Sequence, residues 1–134
     1  MTVRERLRNR RHARIEIAMA CPLFLPALDD PDKGQCAGDP AAVIPADTLR
    51  RCCTTGYARG VCERAARVDA DAMRFLVKSH RGSAVEVAWS IERNHHPVAV
   101  GSFEVTEMMT TEQPLERQGR ACAEAYLRQI GAAA

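Results

Sequence analysis

Residues 21–69 constrain this chain more than any other stretch. They hold five of its six cysteines and five of its seven prolines. PALDDPDKGQCAGDP is punctuated by Pro, Gly and Asp and cannot carry a long helix or strand. Two short helices fit: one opening near PADTLRRCC with Asp47 as N-cap, the other over VCERAARV. Structureless loops beyond about 12–15 residues are uncommon inside compact domains. A segment this irregular needs a staple, and a metal held by several thiolates would provide one.

The compartment decides how the thiols are read. The basic start MTVRERLRNRRHAR is followed by IEIAMACPLFLPAL, which superficially resembles a signal peptide. Glu16 interrupts its apolar run, whereas a secretory segment needs roughly 7–15 apolar residues. No stretch is long enough to span a membrane. The chain therefore reads as cytoplasmic, where thiols stay reduced. Clustered cysteines there favour metal or redox chemistry over disulfides.

The 134 residues read as one domain. Residues 1–20 form a basic arm or short helix, residues 21–69 the cysteine-rich metal-binding segment, and residues 70–134 an antiparallel meander plus a C-terminal helix. In AMRFLVKSH, Met73, Phe75 and Val77 alternate with Arg74, Leu76 and Lys78. In SAVEVAWSIER, Val85, Val87, Trp89 and Ile91 share one face. Such period-two runs are strands. HRGS and RNHHP supply the turns, and VAVGSFEV returns as the third strand. TTEQPLERQGRACAEAYLRQI reads as a helix over 111–131, capped by Thr110 or Thr111, with Pro114 in its first turn. Leu115, Cys122, Tyr126 and Ile130 lie on its apolar face, which makes Cys122 a core thiol. The fold class is α+β: an irregular metal-stapled segment, a three-stranded antiparallel sheet and a helix packed on it.

A formal net charge of +2 gives no general case for nucleic acid, and the arginines near the N-terminus read as a solvated tail. The chain has no Gly-rich phosphate loop, no H-E-x-x-H, no nucleophile elbow and no C-x-x-C. Whether it is an enzyme stays open at this point, with the balance against. Cys52, beside Arg50 and Arg51, is the one thiol that neighbouring charge could activate. His95 and His96 read as a polar turn, with a redox-linked proton acceptor or spare ligand as the functional alternative. His12 and His80 read as exposed.

Fourteen residues separate Cys21 from Cys36, fifteen separate Cys36 from the Cys52–Cys53 pair, and eight separate Cys53 from Cys62. Four ligands complete either a tetrahedral zinc site or a [4Fe–4S] cluster. Zinc sites favour tight C-x₂₋₄-C pairs, which this chain lacks. Long spacings let separate loops converge on a larger object, and LFLP after Cys21 could shield it from water. Spacing alone leaves three readings open: iron–sulfur, zinc and no metal.

CPLFLP, GQCAG, LRRCCTTGYARGVCERAARVDADAMRFLV and IERNHHPVAVGSFEV together resemble a family of small bacterial four-cysteine proteins. Its members read CPFFLP, then a Cys after Gly, then C-N-x-G-Y-A-x-G-x-C, then an R-F-x-V strand and a D-H-x-P-V-x-x-G hairpin. The resemblance covers roughly residues 21–105. It implies Cys21, Cys36, Cys53 and Cys62 as ligands and leaves out Cys52. The sequence departs from the pattern at CTT and NHH. More loosely, it resembles cysteine patterns of cluster-binding bacterial segments. The expectation is one [4Fe–4S] cluster on those four thiols, serving electron transfer or redox sensing with a protein redox partner or larger complex. The alternative is a Zn2+-stabilised structural or interaction module.

Overall fold

The computed structural model describes residues 16–30 and 32–133. The three expected strands are present. They are β4 (Ala72–Arg81), β5 (Ala84–Arg93) and β6 (His96–Val105), joined as an antiparallel meander. The sheet has a fourth strand, β1 (Glu16–Ala20), antiparallel to β4 with Ile17 opposite Phe75 and Ala20 opposite Met73. This corrects the reading of residues 16–20 as arm or helix, and of the sheet as three-stranded. The rest of the arm, residues 1–15 with His12, lies outside the described residues.

Period two decides which side chains are buried. Met73, Phe75, Val77, Val85 and Val87 face inward, with Trp89, Ile91 and Phe103 packed beside them. A bulge at Lys78 breaks the alternation, as the register passes from Val77–Val87 to Ser79–Glu86. The C-terminal helix, Pro114–Ala133, covers this face with Leu115, Cys122, Ala123 and Tyr126. Cys122 is fully buried there.

The helix cap differs from expectation. Arg117 N–H donates to the Gln113 carbonyl, which makes Gln113 the N-cap instead of Thr110 or Thr111. Pro114 then stands at the first helical position, and Glu116 Oε1 accepts from the Gln113 N–H at 3.4 Å, half of a capping box.

The cysteine-rich segment has more order than its composition suggests. β2 (Phe24–Pro26) and β3 (Gly34–Cys36) pair as a small second sheet. A short helix, α1 (Ala46–Thr48), runs into a π turn over Leu49–Cys53. Its N-cap is Pro45, and Asp47 lies in the first turn, paired to Arg51 at 3.0 Å. The expected helix over VCERAARV shrinks to a 3₁₀ turn, Ala65–Arg67. The C-terminal helix is α2 in this numbering. A second apolar cluster, with Ala20, Phe24, Leu49, Ala58 and Ala65, lies beneath this segment. Among the described residues no helix is long and apolar enough to cross a membrane.

Candidate functional site

The four expected ligands do come together, and Cys52 joins them. Cys21, Cys36, Cys52, Cys53 and Cys62 all line one small cavity of about 30 Å3. Leu23, Phe24 and Ile44 supply its apolar walls. Cys21, Cys36 and Cys52 are buried, while Cys53 and Cys62 are partly exposed.

Backbone hydrogen bonds fix each station. Cys21 directly follows β1, and its N–H donates to the Cys53 carbonyl at 2.9 Å, which ties the first thiol to the π turn. Phe24 N–H closes the next turn on the Cys21 carbonyl, also at 2.9 Å. Cys36 ends β3 directly opposite Phe24. Cys62 N–H donates to the Ala58 carbonyl at 2.7 Å. Arg64 on the Cys62 side pairs with Asp39 on the Cys36 side at 3.1 Å.

The π turn explains why Cys52 belongs. Thr54 N–H reaches back five residues to the Leu49 carbonyl. A turn that spends more residues per revolution rotates successive side chains less, so Cys52 and Cys53 reach the same cavity. Such turns are rare and occur often at functional sites. The Cys52 and Cys62 thiols lie close enough to interact.

Gln118, which the sequence reading passed over, holds this site from behind. It is fully buried on α2. Its Nε2 donates to the Cys21 carbonyl at 2.9 Å and to the Phe24 carbonyl at 2.8 Å. Its Oε1 has no hydrogen-bond partner among the described residues. The signal was in the sequence: Gln118 lies three residues after Leu115 and four before Cys122, on the helix's apolar stripe.

Electrostatics disfavour thiolates here while the thiols have no counter-ion. Burial, then the neighbouring Cys21, Cys36, Cys52 and Cys62, push Cys53 from its ordinary 9.0 up to about 12. Burial raises Cys21 too, assisted by Cys36, Cys62 and Cys52. Cys52 is also raised, because burial and Cys62 outweigh Arg51. This corrects the idea that adjacent arginines activate Cys52 as a nucleophile.

The histidines stand apart from the thiols. His95 and His96 are exposed, and neither lines the cavity. His95 stacks on Tyr57. His80 is half-buried, contrary to expectation: Nε2 lies 2.8 Å from the Gly82 carbonyl and Nδ1 lies 3.3 Å from Tyr126 Oη.

Among the described residues, no three His, Cys, Asp or Glu side chains form a set that could hold a single metal ion. Metal stapling of residues 21–69 is therefore not shown. What is present is a shared thiol-lined cavity. No family model, curated protein or solved structure matches the chain.

Proposed function

We propose that this is a small iron–sulfur protein. It binds one [4Fe–4S] cluster through Cys21, Cys36, Cys53 and Cys62 and serves electron transfer or redox sensing. One observation carries the reading: thiols from four separate backbone stations converge on one apolar cavity. As thiolates the gathered groups would repel one another, and a cationic iron group would remove that penalty by replacing the thiol protons.

The donor set fits the group in kind. Cluster iron takes Cys thiolates, and apolar walls that limit solvent are among the features that set a cluster's potential. When bound, the cluster would supply a one-electron couple. The chain would supply four thiolates, a dry wall of Leu23, Phe24 and Ile44, and the Gln118 clamp on the Cys21 turn. The cavity has room for only a few atoms, at about 10–15 Å3 per water. Loading therefore requires the partly exposed Cys53 and Cys62 turns to spread. With four protein ligands no iron corner stays open for substrate, which favours a carrier or sensor over an enzyme, with a protein partner on the Cys53–Cys62 side.

A zinc-stabilised structural module is the second reading. The small cavity favours a single ion, and the absence of a three-residue ion set among the described residues weighs against it. Metal analysis of anaerobically purified protein separates the two. Iron with inorganic sulfide, and a brown colour that bleaches on reduction, supports the cluster. Colourless protein with stoichiometric zinc supports the module. Replacing Cys21, Cys36, Cys53 or Cys62 by Ala should remove the iron and render residues 21–69 protease-sensitive. Cys52→Ala and Cys122→Ala should stay brown. Wild-type protein that never holds iron, even after anaerobic reconstitution, ends the proposal.

A further inference from the structure

A second and larger cavity, of about 460 Å3, lies on the other side of the π turn. It has no cysteine in its lining. β2 contributes Phe24 and Pro26, the π turn contributes Leu49, and α2 contributes Ala121 and Ala125. Its size falls within the range of small-molecule sites, about 300–1,000 Å3. The walls are apolar, as such sites usually are, with few polar groups to fix orientation.

Two of those polar groups carry opposite charge. Arg50 and Asp32 both line the cavity, and both are exposed. Neither joins an ion pair among the described residues. Arg51, the next residue, is already committed to Asp47. An unpaired guanidinium suits a carboxylate, which it can grip with two parallel hydrogen bonds. An unpaired carboxylate suits an ammonium. An apolar chamber flanked by both suits a molecule with one apolar body and both charges.

We infer that this cavity is a binding site for a free α-amino acid with an apolar side chain. Arg50 takes the carboxylate, Asp32 the ammonium, and Phe24, Leu49, Ala121 and Ala125 enclose the side chain. The inference does not depend on which metal, if any, the thiols hold. The two sites nevertheless share walls. Phe24 borders both cavities, and the π turn presents Cys52 and Cys53 to one and Leu49 and Arg50 to the other.

The test is calorimetric titration of the full chain with three probes of one shape: L-phenylalanine, 3-phenylpropanoate and 2-phenylethylamine. L-Phenylalanine should bind saturably, and each single-charge analogue at least about tenfold more weakly, a difference of ~1.4 kcal/mol. Arg50→Gln should bring L-phenylalanine down to the level of the amine, and Asp32→Asn down to the level of the propanoate. Ala46→Trp, a substitution at an exposed position that fills the cavity, should abolish binding of all three. The inference is overturned if L-phenylalanine shows no saturable heat up to about 10 mM, well above a Kd of ~1 mM. It is equally overturned if the analogues bind as well as the amino acid, or if Ala46→Trp binds like wild type.

Discussion

The Tyr57 ring lies flat on the His95 imidazole, with centroids 4.4 Å apart and planes 9° from parallel. The contact joins the cysteine-rich segment to the tip of the β5–β6 hairpin. Tyr57 Oη donates to Glu92 Oε1 and accepts from the His95 N–H, both at 2.8 Å. Glu92 is buried and pairs with Arg74 at 3.2 Å. Asp71, also buried, accepts from the Asn94 N–H at 2.8 Å. Tyr57, Asn94 and His95 all have left-handed backbones, with φ of 53°, 53° and 66°. Such strain persists only where the surroundings over-determine it.

Tyr57→Phe keeps the stack and removes the hydroxyl, so a buried carboxylate loses a donor. The expected cost is about 1–3 kcal/mol in urea unfolding. His95→Gly and His95→Ala both lose the stack, but only Gly adopts a left-handed turn freely. The Gly variant should be more stable than the Ala variant by about 1–2 kcal/mol. Equal stabilities would mean that the turn is not strained.

Gly119 faces Phe103 across the helix–sheet interface. A Cβ there would collide with Phe103 Cζ. Gly119→Ala gains about 1 kcal/mol of helix propensity. The clash should outweigh it, leaving a net loss of about 1–3 kcal/mol by chemical denaturation. Adding Phe103→Leu should recover part of that loss, a coupling readable in a double-mutant cycle. Additive single effects would show that the ring moves aside without cost.

The meander was legible because half-buried strands announce themselves by alternation, and Met73, Phe75, Val85 and Val87 kept it. β1 was not, because a five-residue strand beside an arginine-rich stretch gains its identity from β4, more than fifty residues away. That Cys21, Cys36, Cys53 and Cys62 line one cavity agrees with the expectation that separate loops bring these thiols together. Cys52 was left out because the resemblance has no matching position for it, and the π turn that brings it to the cavity is a backbone choice with no residue signature. Gly119 costs helix propensity by itself, and its use against Phe103 depends on a partner strand that the helix sequence does not contain.

Gln118 makes another prediction. Gln118→Met preserves volume and removes the two donors that reach the Cys21 and Phe24 carbonyls. The Cys21 carbonyl still accepts from the Phe24 N–H. A loss of about 1–3 kcal/mol is expected. Amide exchange should speed up at Cys21–Phe24 before it does in β5. Unchanged exchange at that turn would show that the clamp does not hold it.

Alkaline pH should destabilise the metal-free protein. Cys53, raised from 9.0 to about 12 by burial and its neighbouring thiols, keeps its proton in the folded state where the unfolded chain has released it. Cys21 and Cys52 are shifted the same way, chiefly by burial. Tyr57 follows from its ordinary 10.0, raised by burial and its bond to Glu92. In this window the folded state binds more protons than the unfolded one, so stability falls as pH rises. The contribution is complete below about pH 8.5, the unfolded thiol value, and is lost progressively as pH climbs toward the folded value of about 12. Urea midpoints of metal-free protein should be flat near pH 7 and decline from about pH 9 upward, with a shallower decline in Cys53→Ala. Metal-loaded protein should decline less steeply, because the four ligand thiolates have no proton left to release, while Cys52 and Tyr57 still contribute. A midpoint unchanged to about pH 11 in the metal-free protein would mean that the thiols are not held together in solution.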